Sequence, residues 1–211
     1  MVIFHFCYDL RYFGYVDWSV PNGPGWWQFR YLILTLFLGA AGVSLSLSHG
    51  RIIRWRSFWV RALQIGLAAL AITLISMVMF PEGWIYFGIL HFILFASLVG
   101  VALVRFPTVA LGFGVVIVAI HWLDLLPSAW PFNLIDQYLP DYTEDLVAPF
   151  PWLGVVLIGV WLGSLVRSGK ISYLGPRLPI WVSFSARHSL AIYLLHQPLL
   201  FVLFLTAAKY A

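Results

Sequence analysis

Charge is what this sequence has least of. Of 211 residues, 9% are Asp, Glu, Lys or Arg, whereas 62% are hydrophobic and the mean hydropathy is +0.93. A water-soluble domain carries about a quarter charged residues, so composition excludes a soluble fold and implies an integral membrane protein. Cysteine is nearly absent too. The single Cys7 excludes an intramolecular disulfide and any multi-cysteine metal site, and no metal is expected. The opening M-V-I-F-H-F-C-Y-D-L lacks the basic n-region and small-residue cleavage site of a secretory signal. The net charge of +4 and pI near 9.4 would point to nucleic acid only if the basic residues lay on a soluble face. Here they fall between apolar segments, so topology accounts for them and no nucleic-acid partner is expected.

What is present is a series of long apolar runs. A spanning helix needs roughly 20 residues, and such spans are predicted at 27–48, 58–80, 84–104, 107–123, 150–167 and 186–207. Met1 to Tyr8 is apolar but too short to cross, and reads as the outer end of a truncated first helix whose beginning is missing. A polar, turn-rich loop follows over 9–26. The expected fold is all-α: a polytopic transmembrane helix bundle of six full spans plus a partial first helix, forming one integral-membrane domain over 1–211. No internal repeat is evident.

The charges orient this bundle. Arg51, Arg54, Arg56, Arg61, Arg105, Arg167, Lys170, Arg177 and Arg187, nine of the 12 basic residues, fall in or beside the connections 48–61, 104–107 and 167–187. All eight acids, Asp9, Asp17, Glu82, Asp124, Asp136, Asp141, Glu144 and Asp145, fall on the other side. The positive-inside rule makes the arginine side cytoplasmic. The C-terminus and the 123–149 connection then lie outside, in the periplasm for a protein of a bacterial inner membrane. That connection is long and carries Trp130, Phe132, Leu134, Ile135, Tyr138 and Leu139, which predicts a folded cap rather than disorder.

Other features have ordinary structural readings. Most of the 11 tryptophans lie near span ends and form an interfacial belt. Gly159 and Gly163 make a small-xxx-small contact, and Gly39, Ala40, Gly42 and Ser44 allow the second span to approach a neighbour closely.

The candidate chemistry lies with the histidines. His49 and His188 sit at the cytoplasmic boundary and are expected to be solvated. His5, His91, His121 and His196 come from four different helices, and all fall between mid-membrane and the outer surface. In the last span Ser185, Ser189, Tyr193 and His196 follow at steps of four, four and three, which places them on one helical stripe. A polar stripe in a membrane is costly unless it faces protein or a water-filled cavity. Histidine suits proton transfer, and Asp9, one turn after His5, is spaced to orient it.

Five stretches carry a family resemblance through most of the chain. They are M-V-I-F-H-F-C-Y-D-L, F-L-G-A-A-G-V-S-L-S-L-S at 37–48, F-G-I-L-H-F-I at 87–93, D-L-V-A-P-F-P-W-L-G at 145–154 and H-S-L-A-I-Y-L-L-H-Q-P-L at 188–199. Together they resemble the bacterial DUF1624 family, related to the catalytic domain of heparan-alpha-glucosaminide N-acetyltransferase. The resemblance implies a membrane acyltransferase that moves an acetyl group from cytoplasmic acetyl-CoA to a sugar or glycan amine or hydroxyl on the far side. The animal enzyme of that group uses a histidine in the loop after its first helix. Residues 9–26 contain none, with Tyr12, Tyr15 and Asp17 in that region, so His5 is expected to take over the role.

On this reading His5 is general base or acyl carrier, Asp9 its orienting carboxylate, and His91 and His196 are proton-transfer or acceptor-binding partners. Tyr193, Gln197, Asp145 and Arg30 are expected to contact substrate, and Arg51, Arg54, Arg56 and Arg177 to hold CoA phosphates. The expected partners are the lipid bilayer, acetyl-CoA, the sugar acceptor and a second copy of the chain. Two other classes fit the residues: a small-solute or proton-coupled transporter, and a b-type haem protein with axial histidines from different helices.

Overall fold

The computed structural model describes residues 1–21, 23–127, 129–143, 145–171, 179–180, 184–185 and 188–210, with the side chains of 208–210 excepted. Among the described residues there are seven α-helices and no β-strand: α1 (Val2–Tyr12), α2 (Trp26–His49), α3 (Trp55–Met79), α4 (Ile89–Leu103), α5 (Pro107–Trp122), α6 (Pro149–Arg167) and α7 (Ser189–Tyr210). They belong to two compact units, one of residues 35–173 and the other of residues 1–34 with 174–211. The first turns of α2 belong to the second of these and the remainder to the first.

Among the described residues four helices are long and apolar enough to cross a membrane: α2, α3, α6 and the Ser189–Ala207 part of α7. The other two expected spans form the shorter apolar helices α4 and α5, of 15 and 16 residues. At about 1.5 Å per residue these rise roughly 22–24 Å, less than the roughly 30 Å of a hydrocarbon core. The helix expected from residue 84 begins instead at Ile89, because residues 80–88 are held out of it. Ser76 Oγ accepts from Ile85 N at 2.9 Å and the Thr73 hydroxyl donates to Ile85 O at 2.8 Å. Gly88 is the extended N-cap residue, and Asp145 Oδ2 accepts the N–H of Ile89 at 3.2 Å. A carboxylate there satisfies an orphan donor and faces the positive end of the helix dipole. α5 opens with Pro107, whose missing N–H costs nothing in a first turn. Beyond its end Asp124 adopts the left-handed conformation (φ 51°), which aspartate tolerates better than most residues.

In the 35–173 unit, α6 is the central helix. Of its apolar window 61% is buried, against 22% for α3. Glycines let its neighbours come to backbone contact. A Cβ on Gly42 would strike Val156 O, and one on Gly159 would strike Gly39 O, so α2 and α6 touch along the small-residue faces read from the sequence. Gly114 of α5 and Gly154 of α6 face each other, and a Cβ on either would lie 2.9 or 2.7 Å from the other's carbonyl oxygen. Arg167, in the last turn of α6, donates at 2.9 Å to Ser46 O, a carbonyl near the C-terminus of α2 that also accepts from Gly50 N at 2.8 Å.

The 123–149 connection is folded onto residues 80–88 of the same unit. It contains two 3-10 turns, Phe132–Leu134 and Asp136–Tyr138. The Phe132 ring packs on Tyr86 and Phe87 at 5.4 and 4.8 Å, and Trp130 meets Phe150 at 5.2 Å. The Thr143 hydroxyl donates to Trp84 O at 3.0 Å, and Val147 N donates to Phe87 O at 3.1 Å. The connection is thus tied to residues 80–88 and to Phe150 by ring contacts and to residues 80–88 by hydrogen bonds.

In the other unit α1 packs against α7 through aromatic rings. Phe204 meets Phe6 and Phe13, both at 5.5 Å, and Phe201 meets Phe13 at 5.2 Å. Phe4 sits between Trp26 and Phe29 of the first turn of α2, at 6.2 Å from each. The Arg11 guanidinium donates to Val20 O and ties the 13–25 loop to the end of α1.

Candidate active site

The interface of α1 and α7 carries the polar residues that an apolar bundle should avoid. His5 and Asp9 are one helical turn apart on α1, and Tyr193, His196 and Gln197 occupy adjacent positions on one face of α7. The His5 and His196 rings meet at 5.0 Å between centroids with planes at 60°. That contact leaves no room for a porphyrin between these two imidazoles. Asp9 is 0% exposed and His196 9%.

Asp9 was expected to orient His5, but its Oδ1 accepts a hydrogen bond from Gln197 Nε2 at 3.1 Å. The other oxygen, Asp9 Oδ2, is buried without a hydrogen-bond partner among the described residues, and so are His196 Nε2 and Gln197 Oε1. Leaving a buried polar atom unpaired costs about 1–3 kcal/mol, and most native buried polar atoms are paired. Three such atoms lie on two neighbouring residues of α7 and their partner on α1, and each could take a hydrogen bond from a donor.

The chemistry of these three atoms is uniform. His196 Nδ1 lies 2.6 Å from the backbone oxygen of Tyr193, which can only accept, so Nδ1 carries the proton. In the neutral ring Nε2 is then a bare lone pair. A carboxylate oxygen and an amide oxygen are acceptors as well. The site offers acceptors and asks for a donor. Pro198, inside α7, has no N–H to give the carbonyl of Leu194, which loosens the turn bearing His196 and Gln197. Arg30, half-buried in α2, lies within electrostatic reach of His5.

Of the remaining expected residues, His91, Asp145, Arg51, Arg54 and Arg56 lie in the 35–173 unit. His91 is half-buried on α4, with Nε2 3.1 Å from Thr73 Oγ1. Thr73 already gives its hydroxyl proton to Ile85 O, so His91 must donate from Nε2 and keep Nδ1 as its acceptor. Its tautomer is fixed by a threonine rather than by a carboxylate. Asp145, expected at the substrate mouth, caps α4.

The model for the heparan-alpha-glucosaminide N-acetyltransferase catalytic domain matches residues 1–198. The chain belongs to that family. Membership suggests a membrane acetyltransferase. The matched stretch takes in His5, Asp9, His91, His196 and Gln197. No curated protein and no solved structure matches the chain.

Against this family background several sequence expectations need correction or addition. His49 was expected to be solvated but is 7% exposed. Its Nδ1 accepts from Arg54 N at 3.3 Å and its ring meets Phe58 edge-on at 5.7 Å, closing the turn between α2 and α3. The polar stripe of the last helix turns inward only at Tyr193 and His196, since Ser185 and Ser189 are exposed. Arg51, Arg54 and Arg56 are all exposed, and Arg54 donates to Ser48 O at 3.2 Å. Arg177 lies outside the described residues. The Asp9–Gln197 pair is the feature that sequence reasoning missed. Its signal was available: Asp9 is the single acid of α1 and Gln197 the single carboxamide of α7, and isolated polar residues on apolar helices seek each other.

Proposed function

We propose that the protein is a membrane acyltransferase that moves an acetyl group from acetyl-CoA to an amine or hydroxyl of a sugar or glycan acceptor, with His196 as the general base. One observation carries the assignment. Asp9 Oδ2, His196 Nε2 and Gln197 Oε1 are buried acceptors without a donor among the described residues, and an acceptor substrate brings N–H or O–H groups. In the reaction His196 Nε2 takes the proton from the attacking nitrogen or oxygen as that atom bonds to the acetyl carbonyl carbon. The carbon–sulfur bond then breaks, and the leaving thiolate is protonated to the CoA thiol. Asp9 offsets the positive charge that develops on the imidazole, and Gln197 holds Asp9 in place. His5, in ring contact with His196, passes the proton onward.

The charge segregation supports a location in a bacterial inner membrane, with the arginine-bearing connections cytoplasmic, the 123–149 cap periplasmic and the C-terminus periplasmic. In this arrangement α4 and α5 also cross, completed by the non-helical residues beside them, and the bundle has six spans. The test is acetyl-CoA turnover by the purified chain with glucosamine-type acceptors. His196→Ala is expected to lower turnover at least about 100-fold. Full turnover in that variant would remove His196 from the mechanism.

A further inference from the structure

The start of α3 holds an accumulation of positive charge that the chain does not neutralise. Arg51, Arg54, Arg56 and Arg61 fall within eleven residues, and no Asp or Glu occurs between Asp17 and Glu82. Arg54, Trp55, Arg56, Ser57, Arg61 and Gln64 line an open groove of about 760 Å³. Arg54 spends one donor on Ser48 O, while the guanidiniums of Arg56 and Arg61 have no acceptor among the described residues. Guanidinium groups present forked donors that match phosphate oxygens. Among the described residues no carboxylate pairs with Arg56 or Arg61, so both are open to an anion from outside.

What continues from the groove identifies the anion's carrier. Arg56, Val60, Leu63, Leu67, Leu70 and Leu74 follow at alternate steps of four and three, so they form one stripe of α3. Each of the five apolar members is more than half exposed, while the opposite face, Phe58, Ala62, Ile65 and Ala69, is buried. From Val60 to Leu70 the stripe runs about 15 Å, half of a roughly 30 Å hydrocarbon core and so the depth of one leaflet. Trp55 and Trp59, both more than half exposed, stand at its charged end, where interfacial aromatics belong. A soluble phosphorylated nucleotide would satisfy the arginines but not use the leucine stripe.

We propose that this face of α3 is a binding site for an anionic phospholipid, with Arg54, Arg56 and Arg61 on the headgroup phosphate and the acyl chains along Val60, Leu63, Leu67 and Leu70. The site is independent of the acetyl-transfer reading. Native mass spectrometry of the full chain in detergent, titrated with palmitoyl-oleoyl phosphatidylglycerol, tests it. The expected result is retained lipid that neither coenzyme A nor glycerol 3-phosphate displaces at equal concentration. Arg56→Gln with Arg61→Gln should weaken binding roughly 30-fold, and Arg61→Gln alone about 5-fold. Replacing both by Lys should keep most of the affinity. Unchanged lipid binding in either Gln variant, or displacement by coenzyme A, overturns the proposal, and the latter result would assign the groove to a soluble phosphorylated ligand.

Discussion

Asp9 of α1 and Gln197 of α7, 188 positions apart, are joined by a hydrogen bond of 3.1 Å from Gln197 Nε2 to Asp9 Oδ1. The bond holds one carboxylate oxygen, while the second, like His196 Nε2 and Gln197 Oε1, has no partner among the described residues. A neutral amide on one oxygen leaves the buried charge incompletely compensated. Holding it there carries a cost in stability.

That cost can be measured. Asp9→Asn removes the charge and keeps an oxygen for Gln197 Nε2, so thermal unfolding in detergent should show stability equal to or above that of the wild type, while acetyl transfer falls about 100-fold or more. Asp9→Ala leaves the amide without its acceptor and should be less stable than Asp9→Asn by about 1–3 kcal/mol. Equal melting of the two variants would show that the Gln197 bond contributes nothing.

The two imidazoles should separate kinetically. His196→Ala removes the lone pair that Tyr193 O aims by holding Nδ1–H, and should abolish turnover. His5→Ala leaves that base in place, so its loss should be smaller, roughly tenfold, within the range of a proton-relay contribution. A larger loss for His5 than for His196 would reverse the assignment.

The Thr73 hydroxyl links three elements, giving its proton to Ile85 O and accepting from His91. Thr73→Val keeps the shape and removes both bonds, and should destabilise the fold by about 1–3 kcal/mol. Thr73→Ser should restore most of it. Unfolding monitored by tryptophan fluorescence checks the pair.

Helix contacts predict opposite signs for two glycines one helical half-turn apart on α5. Gly112 has open space around its Cβ position, and Gly112→Ala should stabilise the protein by about 0.5–1 kcal/mol through helix propensity. Gly114 has the Gly154 carbonyl at 2.9 Å from that position, and Gly114→Ala should destabilise it by about 1–3 kcal/mol. Comparison of melting temperatures is sufficient to test both.

Much of the architecture was legible in advance, for physical reasons that differ from element to element. Long apolar runs mark α2, α3, α6 and α7 because a membrane demands length and hydrophobicity together. The glycine faces of α2 and α6 were legible because close helix approach demands small residues. The start of α4 was not. Trp84, Ile85, Tyr86 and Phe87 are as apolar as a span, yet Ser76, Thr73 and Thr143 hold their backbone outside the helix. Those partners lie nine to 59 residues away, beyond the reach of any local pattern.

The sequence by itself determined that this is an apolar helical membrane protein, where its charges segregate, which histidines are set among apolar residues, and the family its motifs resemble. Each of these follows from composition or from spacing along one helix. Only the tertiary structure decided that Asp9 pairs with Gln197 rather than orienting His5, that His196 turns Nδ1 toward Tyr193 O, and that His49 is buried. Hydrogen-bond partners and tautomers are set by contacts that folding makes between side chains and distant groups, and those contacts have no period in the sequence.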